Sequence, residues 1–347
     1  MNPIQFYLYG VIESNHDYQL FEQLKHMGLI VIQYEDITAL AEEKAYINLN
    51  EMSKDDLAHL LIKHQKVLED IMQTIKAPII PIKLGSFSQN ASEVRQILKK
   101  GYSLFSNTIG KLNKRVEIDI AVTWTNFEDI LQQVAQNKDI EQTRSDLLSK
   151  NGNISATDQV ILGKLIKDKL DEKNIITKKL ITDCLSSHCE TIKEHEIMND
   201  QMIANLAFLI EESKIHDFES ALNQIDKAMS GELHFKYIGP LPFYSFYTLE
   251  IIHLCHQSIE QARYTLQLPG RATSDAIKKA YLAKVKEMHP DVNPEMSTTY
   301  NFDELNKAYQ LLTQYAKSVE VQSGNNVICF TQDLVKANSI IVQFKDS

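Results

Sequence analysis

The distribution of hydrophobic and polar residues predicts both strands and helices along the first two thirds of the chain. Arg115 to Thr123 (RVEIDIAVT) alternates polar and apolar residues, which is the signature of a half-buried strand. Gln5 to Ile12 and Leu29 to Tyr34 are rich in β-branched and aromatic residues, which favours two further strands. After Ser53, a good N-cap, apolar residues recur at helical spacing through about Ile75. This mixture predicts an α+β fold.

A second α+β unit begins with the alternating strand at Arg115. Asp200 to Ile210 and Glu232 to Ile238 have the composition of strands, and we expect them to return to the sheet that this strand opens. We therefore predict an N-terminal α+β domain over residues 1–113 and a second α+β domain over residues 114–247.

The middle of this second domain is more polar. Residues 137–153 lose hydrophobic periodicity, so we expect an exposed connection there. Ala156 to Lys193 is a charged helical stretch, in which we expect one interruption near Asn174. Helices of this composition usually lie on a surface or pair with each other.

The sharpest local pattern lies further on, where two amphipathic helices flank a tripeptide. Their apolar stripes are Ile277, Tyr281, Val285 and Met288 in the first helix and Phe302, Leu305, Tyr309 and Leu312 in the second. Since Pro290 disfavours the helical conformation of His289, the first helix must end there and present Asp291 on a turn. The pattern predicts an antiparallel helical hairpin whose core is the paired stripes.

A basic face accompanies this turn. Lys278, Lys279 and Lys286 lie beside the apolar stripe, within an arc of about 100°. An exposed carboxylate at Asp291 beside a basic helix face suits a partner that offers an arginine and an acidic groove. The alternative is a plain interhelical turn whose aspartate caps the next segment. We favour recognition, because a turn alone does not require the adjacent lysines.

Two further segments complete the predicted organisation. Leu249 to Ala262 is predicted to form a helix that links the second domain to the hairpin, within a helical module over residues 248–318. A C-terminal tail, residues 319–347, contains two short β-like pieces.

Composition narrows the possible partners. Of 347 residues, 44% are hydrophobic and 24% are charged, as in ordinary soluble proteins. The formal net charge of -10 argues against nucleic acid or an anionic membrane as the main partner. Four cysteines form no C-x-x-C pair, which favours a reducing cytoplasm over a disulfide scaffold. The most apolar run, Met202 to Ile210, is too short to span a bilayer.

Residues with metal-binding or catalytic chemistry are present, but their spacing is unfavourable. The candidate metal ligands are Cys184, His188, Cys189 and His195. They lack a paired C-x-x-C, so incidental placement is the favoured interpretation. His64 lies on the apolar side of its helix, where a core histidine is expected more often than a general base. We expect no metal, no cofactor and no enzymatic activity.

The C-terminal hairpin resembles a DnaJ-type J domain. AIKKAYLAKVKEMHPDVNP is similar to the second helix and HPD loop of that family, and FDELNKAYQLL to its third helix. Tyr264 to Arg271 corresponds to the first helix in a compressed form. The resemblance implies docking to a DnaK-type ATPase chaperone and stimulation of its ATP hydrolysis. The residues that it assigns to this contact are Lys278, Lys279, Lys286, His289, Pro290 and Asp291.

Most of the remaining chain resembles a second family, the gas vesicle protein F/L family. The segments that carry the resemblance are FYLYGVI, HQKVLEDIM followed by IIPIKLGSFS, RVEIDIAVTW, and ANLAFLI with YIGPLPFYSF. It covers roughly the first 250 residues, a length typical of one or two domains. The resemblance implies two α+β domains, the second a modified ferredoxin-like fold. It also implies a cytoplasmic, gas-vesicle-associated accessory protein that binds the hydrophobic shell protein and other gas vesicle proteins.

The GPLPFYSF segment is the most specific part of this second resemblance. Its family residues are Gly239, Pro240, Phe243, Tyr244, Ser245 and Phe246. Turn formers and aromatic residues in this density predict a rigid structural corner packed on a sheet, in preference to a ligand site. For the whole chain the alternative function is that of a general J-domain co-chaperone whose α+β domains hold unrelated clients.

Overall fold

A computed structural model describes residues 3–14, 18–287, 299–323 and 326–345, and it begins with a sheet buried on both faces. The elements of this N-terminal unit are β1 (Ile4–Glu13), α1 (Tyr18–His26), β2 (Ile30–Tyr34), β3 (Ile37–Ala45), α2 (Lys54–Ile75), β4 (Ile79–Pro81), β5 (Phe87–Ser88) and α3 (Ala91–Leu112). The antiparallel sheet has the order β2-β3-β1-β4, and β5 also pairs with β1. Helix α3 covers one face, and α1 and α2 cover the other. Since both faces of β1 are covered, its sequence is an almost continuous apolar run.

The second unit forms a four-stranded antiparallel sheet. Its elements are β6 (Arg115–Trp124), α4 (Phe127–Ala135), α5 (Lys138–Asn151), α6 (Ala156–Leu185), β7 (Thr191–Glu194), β8 (Met202–Glu211), α7 (Ile215–Ala228) and β9 (Leu233–Leu241). The order β7-β8-β6-β9 places the first strand beside the third and the fourth, and helices follow the first and third strands. This is a ferredoxin-like arrangement with two extra helices after the first strand. The α+β prediction is therefore confirmed, as is the return of both later strands to the sheet of β6.

Three expectations about the middle of this unit are wrong in part. The helical stretch predicted to reach Lys193 ends at Leu185, and Thr191–Glu194 forms β7. Residues 137–149 are mostly exposed as expected, but helix α5 takes the place of an irregular connection. The side chain of Asn137 caps its start, Gly152 ends it at φ +71°, and Ile140 anchors it with only 3% of its surface exposed. Helix α6 also runs without interruption through Asn174, whose side-chain oxygen accepts a hydrogen bond from the indole of Trp124 at 2.9 Å. This contact occupies the amide that would otherwise compete with the helix backbone.

The C-terminal part combines helices with two short ribbons. Its elements are α8 (Tyr244–Tyr247), β10 (Leu249–His253), α9 (His256–Thr265), β11 (Arg271–Ala272), α10 (Ser274–Glu287), α11 (Thr299–Ser323), β12 (Ile328–Cys329), α12 (Gln332–Ala337) and β13 (Ile340–Phe344). Strand β10 pairs with β13 and β11 pairs with β12, both antiparallel. Helices α9, α10, α11 and α12 enclose a core of their own, which we call the helical module.

Two helix predictions fail in this part. Leu249 to Ala262 is not one helix, because its first five residues form β10 and pair with a strand almost ninety residues later in the chain. The segment Tyr264 to Arg271 is not a helix either, since α9 ends at Thr265. The helix that precedes α10 therefore lies earlier than the sequence pattern indicates.

Candidate functional site

The predicted helical hairpin has the expected core. The hydroxyl of Thr273 accepts a hydrogen bond from the backbone N–H of Ala276 at 3.1 Å and caps the start of α10. Ile277 is 1% exposed and faces α11. Tyr281 stacks on Tyr309 with ring centroids 4.2 Å apart. The apolar stripes of the two helices therefore meet along the described parts of α10 and α11, with one correction: Phe302 is 43% exposed and lies outside the shared core.

The predicted docking face lies on the outer side of α10. Lys278, Lys279 and Lys286 are all exposed on this helix. Met288, the end of the predicted stripe, lies outside the described residues, and so do His289, Pro290 and Asp291. The basic face is present as predicted, while its role and that of the tripeptide remain predictions.

Helix α9 supports the hairpin from behind. Ile259 is fully buried against α11, and Leu266 joins the same core. Arg263 forms a two-point ion pair with Glu260, and its guanidinium also donates to the carbonyl of Leu268 at 2.6 Å. These contacts fix the turn that leads into α10, and α11 packs between α9 and α10 as their shared neighbour.

The GPLPFYSF corner joins the second unit to the first. Phe243, which is 1% exposed, lies in the core of the N-terminal unit together with Leu209 of β8. The hydroxyl of Tyr244 donates to the carbonyl of Gln65 on α2 at 3.3 Å. At Gly239, an added Cβ would lie 3.0 Å from the carbonyl oxygen of Glu117, so the backbone approaches β6 more closely than a larger residue permits. The structural role predicted for this motif remains a prediction, and these contacts support it.

Ser245 is the polar centre of this corner. Its backbone N–H and its hydroxyl both donate to the carboxylate of Glu117 on β6, at 3.0 and 2.7 Å. Nε2 of His195 lies 3.0 Å from the Ser245 hydroxyl oxygen, and the ammonium of Lys193 donates to the Ser245 carbonyl. With Glu117 ionised, the hydroxyl proton goes to its carboxylate, and the histidine then donates to the serine oxygen. These hydrogen bonds fix the backbone of the corner.

Burial shifts the pKa values of the charged groups around this serine. Desolvation raises the pKa of Glu117, which is fully buried, to about 8. It also raises the pKa of neighbouring Asp119 to about 6 and lowers the pKa of the Lys193 ammonium. No sequence pattern marks Glu117 as a functional residue. The alternating pattern of β6 could have indicated its position. Val116 and Ile118 lie in the core, so Glu117 between them lies on the opposite face of the strand, towards the corner.

His64 behaves as the sequence analysis predicts. Nδ1 of its ring lies 2.8 Å from the hydroxyl of buried Tyr7, and Nε2 lies 3.1 Å from the carbonyl of Ile82. The carbonyl can only accept, so Nε2 carries the proton and Nδ1 accepts from Tyr7. Burial lowers the pKa of His64 to about 4, which keeps the ring neutral. It is a core histidine with both nitrogens bonded.

The candidate metal ligands do not converge. Cys184 is exposed on α6, and the ring of His195 points to Ser245. Within the described ranges, no three His, Cys, Asp or Glu side chains are placed to share an ion.

Comparison with known proteins identifies the family. The family model "Gas vesicle synthesis protein GvpL/GvpF" matches residues 5–248, well over half of the chain. The chain belongs to the GvpL/GvpF family. Gas vesicle protein F of Microcystis aeruginosa is 25% identical over 187 residues, which are 54% of this chain and 76% of that protein. Gas vesicle protein F of a Nostoc species matches with the same identity and coverage.

Solved structures support the fold of this GvpL/GvpF region. The crystal structure of GvpF from Anabaena sp. PCC7120 aligns with a TM-score of 0.57 and 21% identity, over 71% of this chain and 98% of that one. The crystal structure of GvpF from Microcystis aeruginosa aligns with a TM-score of 0.54, also at 21% identity. At this identity the likeness concerns the fold alone.

The helical module extends the GvpL/GvpF region with a second recognisable domain. The DnaJ domain model matches residues 264–320. Chaperone protein DnaJ 2 of Streptomyces coelicolor is 46% identical over 55 residues, which are 16% of this chain and 15% of that protein. This GvpL/GvpF protein therefore carries a J domain. None of the helices in the described ranges has the length and apolar character needed to cross a membrane.

Proposed function

We propose that this protein is a non-enzymatic gas vesicle assembly factor that binds the hydrophobic shell protein and recruits a DnaK-type chaperone through its J domain. The observation that carries the proposal is the presence of a GvpL/GvpF region and a J domain with an exposed lysine face in one chain. A shell subunit that faces gas must expose apolar surface before assembly, and such surface aggregates unless another protein covers it. A J domain on the covering protein brings an ATP-driven chaperone to the same client.

The partners follow from this role. We assign binding of the shell protein and other gas vesicle proteins to the region upstream of the helical module. We assign chaperone contact to Lys278, Lys279 and Lys286 together with His289, Pro290 and Asp291. The protein then works in the cytoplasm at the forming vesicle. The division of the chain at residues 113 and 247 is part of the same proposal, whereas the boundary predicted at residue 318 falls inside α11.

Two measurements on the full chain test the proposal. In a pull-down, the purified protein is expected to retain gas vesicle shell protein, and failure to bind any gas vesicle protein would refute the assembly role. In a single-turnover assay, the chain is expected to stimulate ATP hydrolysis by a DnaK-type chaperone. Asp291→Asn should abolish the stimulation, with an unchanged circular dichroism spectrum as the folding control. Equal stimulation by Asp291→Asn would show that the turn has only a structural role.

The alternative is a general co-chaperone whose α+β region holds unrelated clients. The same pull-down separates the two functions when unfolded model clients compete with the shell protein. Preference for the shell protein supports the assembly factor, and equal retention of all clients supports the general co-chaperone.

A further inference from the structure

The chain enters and leaves the helical module at one place. Strand β10 leads into the module, and β13 returns from it and pairs antiparallel with β10 along its whole length, from Leu249 opposite Phe344 to His253 opposite Ile340. The backbone N–H of Leu254 extends the ladder by donating to the carbonyl of Ser339 at 2.6 Å. A module held by two adjacent, paired strands has far less freedom to rotate than one held by a single linker.

This two-stranded ribbon is attached to the N-terminal unit by polar contacts. Ile82, just after β4, forms a parallel bridge with Leu249, and the N–H of Lys83 donates to the Leu249 carbonyl at 2.8 Å. The Lys83 ammonium pairs with Glu250 at 2.5 Å. From α3, Lys100 donates to the carbonyls of Ala337 and Ile340, at 2.9 and 3.3 Å. The ribbon is therefore bridged to the segment that follows β4 and is also bonded to α3.

Apolar contacts hold the underside of the ribbon. Leu249 is fully buried and Ile340 is 5% exposed, and both belong to the core that α3 builds with the N-terminal sheet. Val342 approaches α3 at Gly101, where an added Cβ would lie 3.0 Å from a Val342 methyl group and 2.6 Å from the ring of Phe105. A glycine at this position gives the strand room to lie against the helix.

We infer that the β10–β13 ribbon is a clasp that fixes the J domain in one orientation on the body of the protein. The recruited chaperone is thereby directed to the client that the same molecule holds. The inference deepens the proposed function and rests on it for the identity of chaperone and client. A flexible tether would raise the local concentration of the chaperone but would present it in every orientation. The ribbon presents the chaperone in one orientation, so transfer of the client depends on geometry as well as on proximity.

The clasp can be opened without touching the docking face. Val342→Lys replaces a partly buried apolar side chain, packed against the core that contains Phe105, with a charged one, which is unfavourable there. Gln343→Lys is the control, because it introduces the same side chain at the next residue, on the other face of the same strand, where Glu250 offers the new charge a partner. The double variant Lys83→Ala with Lys100→Ala removes the side-chain polar attachments and leaves the backbone bridge at Leu249 and the apolar core intact.

The orientation of the module is measured first, by double electron–electron resonance between two spin labels. The labels are attached at two exposed positions, Ser92→Cys on α3 and Gln261→Cys on α9. The four native cysteines are replaced by serine. The unaltered clasp and Gln343→Lys are expected to give one narrow distance distribution. Val342→Lys should broaden it, and the double lysine variant should broaden it to a smaller extent. A narrow distribution in both opened variants would overturn the clasp, and the double variant decides the question if Val342→Lys does not fold.

Delivery is measured second, as the ATP-dependent transfer of gas vesicle shell protein to a DnaK-type chaperone. The opened variants should retain shell protein and stimulate ATP hydrolysis as the unaltered chain does, yet transfer the client about tenfold more slowly. Undiminished transfer with a broadened distance distribution would overturn the inference. If the unaltered chain neither binds shell protein nor stimulates the chaperone, the proposed function fails, while the label distances still report whether the ribbon fixes the module.

Discussion

Ser245 and Glu117 are joined by two hydrogen bonds, one from the serine backbone N–H at 3.0 Å and one from its hydroxyl at 2.7 Å. The two residues are far apart in sequence and lie in different elements, α8 and β6. Through this pair the corner after β9 is tied to the second sheet, while Phe243 is inserted into the core of the N-terminal unit. This short segment therefore contacts both α+β units.

Ser245→Ala should therefore lower the free energy of unfolding by about 1–3 kcal/mol, because it removes the hydroxyl that a buried carboxyl and His195 both contact. Urea denaturation followed by circular dichroism measures the change. Ser92→Ala, at an exposed position of α3, is the control and should stay within about 0.5 kcal/mol of the unaltered chain. Equal stability of Ser245→Ala and the control would contradict the role given to this hydroxyl.

The same pair should make stability depend on pH. The pKa of Glu117 is about 8 in the folded chain, whereas its ordinary value is 4.5. Between these values the folded chain holds a proton that the unfolded chain has lost. Its contribution to the free energy of unfolding is thus fully present below pH 4.5 and is lost as the pH rises through 8.

Glu117→Gln removes this ionisation with little change of shape. Urea denaturation from pH 5 to 9 measures the free energy of unfolding of both proteins. As the pH rises, the unaltered chain should lose stability relative to Glu117→Gln. Exposed Glu128→Gln on α4 is the control and should follow the unaltered profile. The pKa of Asp119 is raised to about 6, so its ionisation also lowers the stability as the pH rises. Because Asp119 is present in both proteins, its contribution cancels in the difference. A difference that stays constant over this range would mean that Glu117 ionises normally.

Tyr7→Phe should destabilise the N-terminal unit. The substitution keeps the ring but leaves Nδ1 of buried His64 without its donor, at a cost of about 1–3 kcal/mol. Tyr18→Phe removes a hydroxyl from a side chain that is 76% exposed and serves as the matched control. Thermal unfolding of the two variants side by side measures the effect, and similar midpoints would show that the hydrogen bond adds little.

Charge reversal on α10 should weaken chaperone stimulation in a salt-dependent way. Lys278→Glu with Lys279→Glu is expected to reduce the stimulation of ATP hydrolysis about tenfold at low ionic strength, with a smaller reduction at high salt because ions screen exposed charges. Lys307→Glu, at an exposed position of α11, reverses a charge on the neighbouring helix. If it impairs stimulation equally, the effect belongs to net charge and not to the face on α10.

Local patterns predicted the elements whose environment is set by their own sequence. The alternation of β6 correctly indicated one buried face, since Val116, Ile118 and Ile120 are all buried. The apolar side of α2 correctly placed His64 inside. In these two elements the hydrophobic periodicity alone predicts which face is buried.

The sequence patterns failed where a distant partner decides the structure. Nothing near Leu249 indicates that β10 will pair with β13, because the matching strand lies beyond the whole helical module. Helix α5 is held by its caps and by one buried side chain, Ile140, so it shows no apolar stripe. Ser245 was predicted as part of a structural motif, but its partner Glu117 was not, because only the folded sheet brings the two together.

Because His253 and Ile340 stand opposite each other in the ribbon, residues 254–339 are a loop whose ends already meet. A short turn between these two residues would close a plain hairpin and leave the ribbon in place. Residues 254–339, which include the J domain, are therefore an insertion between the two strands of the ribbon. In a chimaera that carries another J domain between the same two residues, that domain would be attached through the same two-stranded ribbon.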